Sequence, residues 1–546
     1  MITSLLNQKR FFCIIKLVIK LLRVPERSSM AFWTDETVSE ILKRKDKKYL
    51  ITDYKTPSGR IHVGALRGVV IHDLLYKGLL DSGVKTEYWY GFDDFDPIDD
   101  LADNLKKDFE KYMGVPLCNT PSPVKGYKNF AEYYAKDFIQ VYEKLGVRAK
   151  TIWASRLYKE GKYNKAIKIV LDNAGKIRNI NKKVSGGKKS DDWFPLQVVC
   201  PKCGKIGTTK VTGWNSKEVE FSCEPKMVEW AQGCRYKGKI SPFNGNAKMP
   251  YKPETAAKWY TFKTSVELAG KDHYTQGGSF NVAQEIAKQV FNIKPAYGYG
   301  YEWFLVGGKK MSTSKGRGVS SEEIAELLPP EILRFLMVRT KAKRAIDFAV
   351  YGDTIPILYD EYDRCIDAYL KDSTSDLARA YYYSRMKEAR PPSYRLRFSK
   401  AVYLIQMHRT DVNKYAEEEK GSKLDKIEKE ELDVRVKYAK KWLEKYAPEN
   451  YKFTIQKELP QVAKNLDQNQ KKFLLEIVKL LEQKKWAGEE LHKQIHELKK
   501  NLKLDPRSAF SAIYLSLLGK DSGPQAGWLL AALDGKFIIQ RFQEIQ

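Results

Sequence analysis

Two hydrophobic periods alternate along the first three hundred residues, and one of them takes over afterwards. Residues 48–54, KYLITDY, are β-branched and aromatic and predict a strand. Lys55-Thr56-Pro57-Ser58-Gly59 follows as a turn. From about Gly64 to Asp81, Leu66, Val70 and Leu74 recur every four residues, the spacing of one helix face, and Gly83 supplies a stop. KTEYWYGF (85–92) predicts a second strand, ahead of the acidic DDFDPIDD (93–100). Residues 129–145 predict a helix, KIRNINKKVSGGKK (176–189) a basic loop, and about 255–318 another α/β stretch. Beyond Pro329-Pro330 the period is helical almost throughout, with charged stretches such as YAEEEKGSKLDKIEKEEL (415–432). Strands alternating with helices predict a parallel sheet, and the remainder predicts an appended all-α region.

The extreme N-terminus reads differently. Residues 11–24, FFCIIKLVIKLLRV, follow a basic pair, as in a signal peptide or an amphipathic anchor. The run falls short of the ~20 apolar residues of a spanning helix, Lys16 and Lys20 interrupt it, and no small-residue cleavage site follows. Residues 1–29 are therefore expected to lie upstream of the fold, with Met30 opening it. A basic amphipathic helix is the other reading.

Charge narrows the class of partner. Lys plus Arg number 96 against 68 Asp plus Glu, a formal charge of +28. A small neutral metabolite has no need of such a field, whereas a polyphosphate does. Aromatic residues at 12% exclude disorder throughout, and charged residues at 30% argue against a multi-span membrane protein. Seven cysteines form no disulfide framework. Four of them crowd together, which suggests a reducing compartment and a metal. Cys200-x-x-Cys203 is a zinc-knuckle half-site, followed after 19 residues by Cys223 and after 10 more by Cys234. Four thiolates around tetrahedral Zn²⁺ make a closed structural site. A redox role for the CxxC lacks a surrounding thioredoxin-like unit.

Two further segments carry chemistry. Thr56-Pro57-Ser58-Gly59-Arg60-Ile61-His62-Val63-Gly64-Ala65 joins a strand to a helix, whose free N–H groups and positive potential suit phosphate. Lys309-Lys310-Met311-Ser312-Thr313-Ser314-Lys315-Gly316 offers hydroxyls and ammonium groups to a triphosphate. On composition alone each has a bland alternative, a capped helix and a solvated loop. In this order, about 250 residues apart, they resemble the HIGH and KMSKS signatures of class I aminoacyl-tRNA synthetases. TPSGRIHVG, DDFDP, DWFPLQVVCPKCG, GKDHYTQGGSF, YEW before GGKKMSTSKG, and IPILYDEYD narrow the resemblance to the class I lysyl-tRNA synthetase family, from about 35 to 375 and again weakly near GKDSGPQAG (519–527).

That resemblance implies an α/β, Rossmann-type nucleotide-binding catalytic domain with a zinc-bearing insertion, then an all-α anticodon-binding region. The expected division is 1–29 as extension, 30–128 and 255–328 as the two catalytic halves, 129–254 as the insertion, and 329–546 as the helical region. The implied activity is ATP-dependent attachment of L-lysine to tRNA(Lys) through lysyl-adenylate, in the cytoplasm, with Mg²⁺ and Zn²⁺ and no membrane partner. The implied catalytic groups are His62, Lys310 and Lys315. ATP is expected at Thr56, Pro57, Ser58, His62, Gly64, Asp272, His273, Gly277, Gly278, Met311, Ser312, Ser314 and Lys315. Lysine is expected at Trp259, His273, Tyr301 and Glu302, and zinc at Cys200, Cys203, Cys223 and Cys234. The chain departs from the family pattern at several places. Ala65 replaces an Asn, Thr313 stands where the wider class has lysine, and Tyr54-Lys55 replace Gly-Ile beside the amino-acid pocket. A second metal site of some relatives falls on Ser122, Gly126, Tyr127 and Tyr133, which cannot bind zinc. The rival readings are a glutamate-type class I synthetase, a small nucleotidyltransferase, and an inactive tRNA-binding paralogue.

Overall fold

The computed structural model describes residues 32–187, 189–307, 321–349, 351–386, 389–407 and 411–545. The expected extension 1–29 lies outside these residues. So does the KMSKS-like loop, with Lys310, Met311, Ser312, Ser314 and Lys315.

The chain enters through α1 (Trp33–Leu42) and then strand β1 (Tyr49–Lys55). Helix α2 (Val63–Asp81) carries it to β2 (Thr86–Phe92), and α3 (Phe130–Lys144) to β3 (Lys150–Trp153). These three strands pair in parallel in the order β1-β2-β3, each reached by a helical crossover. The array continues on the other side of β1. Ile51 bridges Val266 and Val266 bridges Tyr297, both in parallel. Just beyond, β7 (Ala269–Gly270) pairs in parallel with β8 (Gly300–Tyr301). The strand order therefore reverses at β1, and a crevice opens at the carboxyl ends of the strands on either side of that reversal. Leu66, Val70 and Leu74 of α2 are fully buried against this sheet.

Between β3 and β7 lie a three-stranded antiparallel sheet and, among the described residues, four helices. The sheet is β4 (Thr209–Trp214), β5 (Val219–Cys223) and β6 (Lys237–Ile240), and α4 (Tyr251–Phe262) follows it. The expected basic loop 176–189 is instead mostly helix, Ala174–Ser185. Ile177 and Ile180 lie three residues apart and bury against the core, and Gly186, at φ 64°, ends the helix. Helix α5 (Ser279–Gln289) precedes β8, and β9 (Phe304–Val306) pairs in parallel with β10 (Ile346–Phe348), with α6 (Pro330–Val338) between them.

From α7 (Thr354–Lys371) and α8 (Asp376–Ser384) to the end, the described residues are helical with short connections. The charged run 415–432 is two helices, not one. Gly421, at φ 79°, breaks it, and Asp425 restarts α9 (Lys426–Lys445) with a capping box to Glu428. The helical region is not a separate body. Arg334 of α6 is fully buried and bonds Asp73 Oδ2 of α2 at 2.5 Å, the Tyr383 carbonyl of α8 at 2.8 Å and the Leu145 carbonyl after α3 at 3.1 Å. Arg379 of α8 grips Asp35 of α1 through two bonds, 2.9 and 3.0 Å. Among the described residues no helix is long and apolar enough to cross a membrane.

Candidate active site

The turn after β1 delivers His62 to the start of α2 in an extended conformation, ψ 159°. Its Nδ1 accepts the Gly64 N–H at 3.1 Å. In the neutral ring the proton then sits on Nε2. A Cβ on Gly64 would lie 2.8 Å from two atoms of the same ring, so glycine is what allows this cap. Thr56 Oγ1 donates to Asp96 Oδ2 at 2.7 Å, and Lys248 Nζ holds Asp96 at 2.9 Å and Glu254 at 2.5 Å. The Thr56–Ser58 turn, with Pro57 buried in it, is thereby tied to the acidic segment after β2. β9 passes close by: the Phe304 carbonyl lies 4.0 Å from the same Cβ position, and β9 leads straight toward residues 308–320.

Lys271-Asp272-His273 is a 3₁₀ turn between β7 and α5. The His273 ring lies 5.5 Å from the Tyr251 ring and 6.0 Å from that of Phe280. Gly277 adopts φ 75°, and a Cβ on Gly278 would strike the carbonyls of His273 and Thr275, so the turn closes tightly on itself. The expected amino-acid residues divide in two. Tyr301 places its hydroxyl over Gly68 of α2. Trp259 is buried and donates Nε1–H to Glu267 at 2.8 Å, while Glu302 pairs with Lys271 at 2.8 Å, whose ammonium lies 4.0 Å from the Trp303 ring.

Several buried charges gather at the strand ends, and of these only Asp93 lies in a quoted motif, DDFDP. Burial raises Asp53 and Asp93 to about 7 and lowers His72 to about 4. Lys258 is buried with its ammonium 3.6 Å from the Tyr54 ring centroid. Burial acts to lower it, but the carboxylates of Asp93, Glu267 and Glu254 hold it above the usual lysine range. Among the described residues Tyr54 Oη, Lys258 Nζ and Asp93 Oδ1 find no hydrogen-bond partner. Tyr54 faces Gly91 in the β1–β2 register, and a Cβ there would overlap its ring. In the sequence, Asp93 belongs to the acidic run 93–100, while Asp53, His72 and Lys258 stand in no such pattern.

Cys200, Cys203, Cys223 and Cys234 converge at the small sheet, their sulfurs all within 4.8 Å of one another. Cys200–Cys234 and Cys203–Cys223 approach to 3.6 and 3.7 Å.

A family model described as class I tRNA synthetases (K) matches residues 31–387. A lysine–tRNA ligase of Methanosarcina barkeri is 33% identical over 533 residues, spanning 94% of this chain and 97% of its own. One of Thermoplasma acidophilum is 34% identical over 519 residues, spanning 94% and 98%. A solved glutamate tRNA ligase of Elizabethkingia meningosepticum matches 91% of this chain and 99% of its own, at 12% identity and a TM-score of 0.43.

Proposed function

We infer the chemistry of this site from one premise: the chain belongs to the lysine–tRNA ligases of the class I tRNA synthetases, and it joins lysine to tRNA with ATP. Similarity over 94% of the chain carries that reading. The lysine carboxylate attacks the α-phosphate, pyrophosphate leaves, and the terminal ribose hydroxyl of tRNA then displaces AMP from lysyl-adenylate. Neither step needs an enzyme nucleophile, so positioning and charge stabilisation supply the rate. Lysine-dependent exchange of pyrophosphate into ATP tests the assignment, with glutamate as the comparison substrate. Exchange driven by glutamate and not lysine would overturn it.

ATP fits the reversal of the parallel strand order, as in Rossmann-type sheets, with its phosphates at the start of α2. His62 offers Nε2–H to a phosphate oxygen, and Gly64 lets the nucleotide approach the backbone. Asp272, His273 and the Gly277-Gly278 turn form the other wall, beside adenosine and the amino acid. Lys310 and Lys315, with Met311, Ser312 and Ser314, would close over the phosphates from the loop that β9 leads to. Mg²⁺ bound to the phosphates adds charge neutralisation. His62→Asn keeps a helix-capping side chain but removes the aimed N–H. Adenylate formation should slow by roughly 1.5–3 kcal/mol, the scale of one hydrogen bond to a charged group, as measured by single-turnover formation of lysyl-adenylate. An unchanged rate would remove His62 from the phosphate site.

The four cysteines fit zinc. Tetrahedral Zn–S bonds of about 2.3 Å require sulfurs roughly 3.8 Å apart, close to the 3.6 and 3.7 Å separations here. With all four positions filled by Cys200, Cys203, Cys223 and Cys234, a bound ion would have a structural role, holding the β4–β6 sheet to the loops beside it. Purified protein should contain about one zinc per chain. Cys200→Ser with Cys203→Ser should lose it, and metal analysis decides. The basic surface suits tRNA(Lys), a cytoplasmic partner, with the helices after 329 reading the anticodon.

A further inference from the structure

The face of α2 that starts at His62 has a second bare position one turn on. Gly64 and Gly68 stand four residues apart, about 6 Å along the axis, on one side of the helix. That side looks onto β8 and β9. A Cβ on Gly68 would collide with the Tyr301 hydroxyl and lie 3.5 Å from Asp53 Oδ2. The Tyr301 hydroxyl thus occupies the room that a side chain at position 68 would fill, and Asp53 borders it from β1.

This carboxylate is nearly buried, its side chain 11% exposed, and among the described residues its ion-pair partner is His72 at 3.4 Å. That ring has no charge to offer. Nε2 accepts the Leu268 N–H at 3.0 Å, so the one proton of the neutral ring sits on Nδ1, 2.7 Å from the Gly68 carbonyl. Lys55 and Lys258 act on Asp53 from beyond ion-pair distance, and Lys258 sits over Tyr54, whose side chain leaves the opposite face of β1. Glu302, the other carboxylate at β8, is already paired with Lys271. A buried carboxyl group without a cation beside it is stabilised in its charged form by an ammonium that arrives there, and the substrate amino acid brings one on a long apolar stem.

We propose that Asp53, with the Tyr301 hydroxyl, receives the side-chain ammonium of the substrate lysine. The lysine carboxylate then points to the His62 end of α2, where ATP is attacked. Asp53 and Tyr301 meet beside Gly68, one helical turn from Gly64, a span that an extended lysine side chain matches. Asp53 is then the residue that selects lysine. The proposal rests on the lysine–tRNA ligase reading.

The test is amino-acid-dependent pyrophosphate exchange with lysine and with 6-hydroxynorleucine, which has a hydroxyl in place of the ammonium. Wild-type exchange with lysine checks the activity itself. Its absence would overturn that reading and the proposal with it. Asp53→Asn should raise KM for lysine by at least about thirtyfold, cut the preference for lysine over 6-hydroxynorleucine by at least about tenfold, and leave KM for ATP within about twofold. A purely structural role would not move the preference. Tyr301→Phe should shift it in the same direction by a smaller factor, and decides the matter if Asp53→Asn does not fold. Wild-type preference in Asp53→Asn, or in Tyr301→Phe where the first variant is lost, overturns the proposal.

Discussion

Lys315→Ala is expected to slow lysyl-adenylate formation by about 2–4 kcal/mol, roughly 30- to 900-fold, the scale seen when one preorganised stabilising group is deleted. The sequence sets the stakes. Thr313 supplies no ammonium where the wider class has one, so the charge opposite the departing pyrophosphate falls on Lys315 and Lys310. A group that grips the leaving phosphates binds the transition state more tightly than the ground state, so the rate suffers more than KM for ATP. Lys310→Ala should cost less, because Lys309 stands beside it. Transfer from preformed adenylate to tRNA involves no pyrophosphate and should change little. Single-turnover kinetics of both steps decides. Activation at the wild-type rate, or equal slowing of transfer, would contradict the assignment.

The second large effect is on stability. Arg334→Met should destabilise the chain by about 3–5 kcal/mol, the scale for breaking a buried ion pair from one side. The side chains of Arg334 and Asp73 are 0% and 2% exposed, so the variant leaves the Asp73 charge in the core with Lys77, at 3.4 Å, as its nearest cation. It also strips donors from the Tyr383 and Leu145 carbonyls. Pairing it with Asp73→Asn should recover part of the loss, because the stranded charge is gone. Urea unfolding followed by tryptophan fluorescence measures both variants. A single variant within about 1 kcal/mol of wild type would show that the joint between α2, α6 and α8 is held by apolar packing alone.

How much of this was legible in the sequence follows from what each feature depends on. The α2 face was readable because Leu66, Val70 and Leu74 follow a local period. The four cysteines were readable because their chemistry is rare and their spacing short. The helix 174–185 was hidden by its lysines, which look toward solvent while Ile177 and Ile180 do the burying. Gly421 inside a charged run could be weighed as a tolerated helix glycine or a stop, and the left-handed conformation that decides it is not written locally. The pairing of Glu302 with Lys271, and of Trp259 with Glu267, depends on the β7–β8 contact and on the packing of α4, which no local pattern encodes. Asp53, His72 and Arg334 acquire their meaning only when segments hundreds of residues apart meet, so their letters alone read as ordinary surface polarity.

The contact between Tyr54 and Gly91 constrains the history of the chain as well as its shape. The two stand opposite one another in the β1–β2 register, and any Cβ at 91 would overlap the tyrosine ring. A mutational path to this pair therefore has a direction. Glycine at 91 can precede tyrosine at 54 with no steric conflict, whereas tyrosine arriving first meets an occupied space. Once Tyr54 is in place, position 91 is locked, and a substitution there that is mild in a relative with a small residue at 54 becomes deleterious here. Exchanging the two positions between this chain and such a relative, singly and together, would measure that epistasis directly.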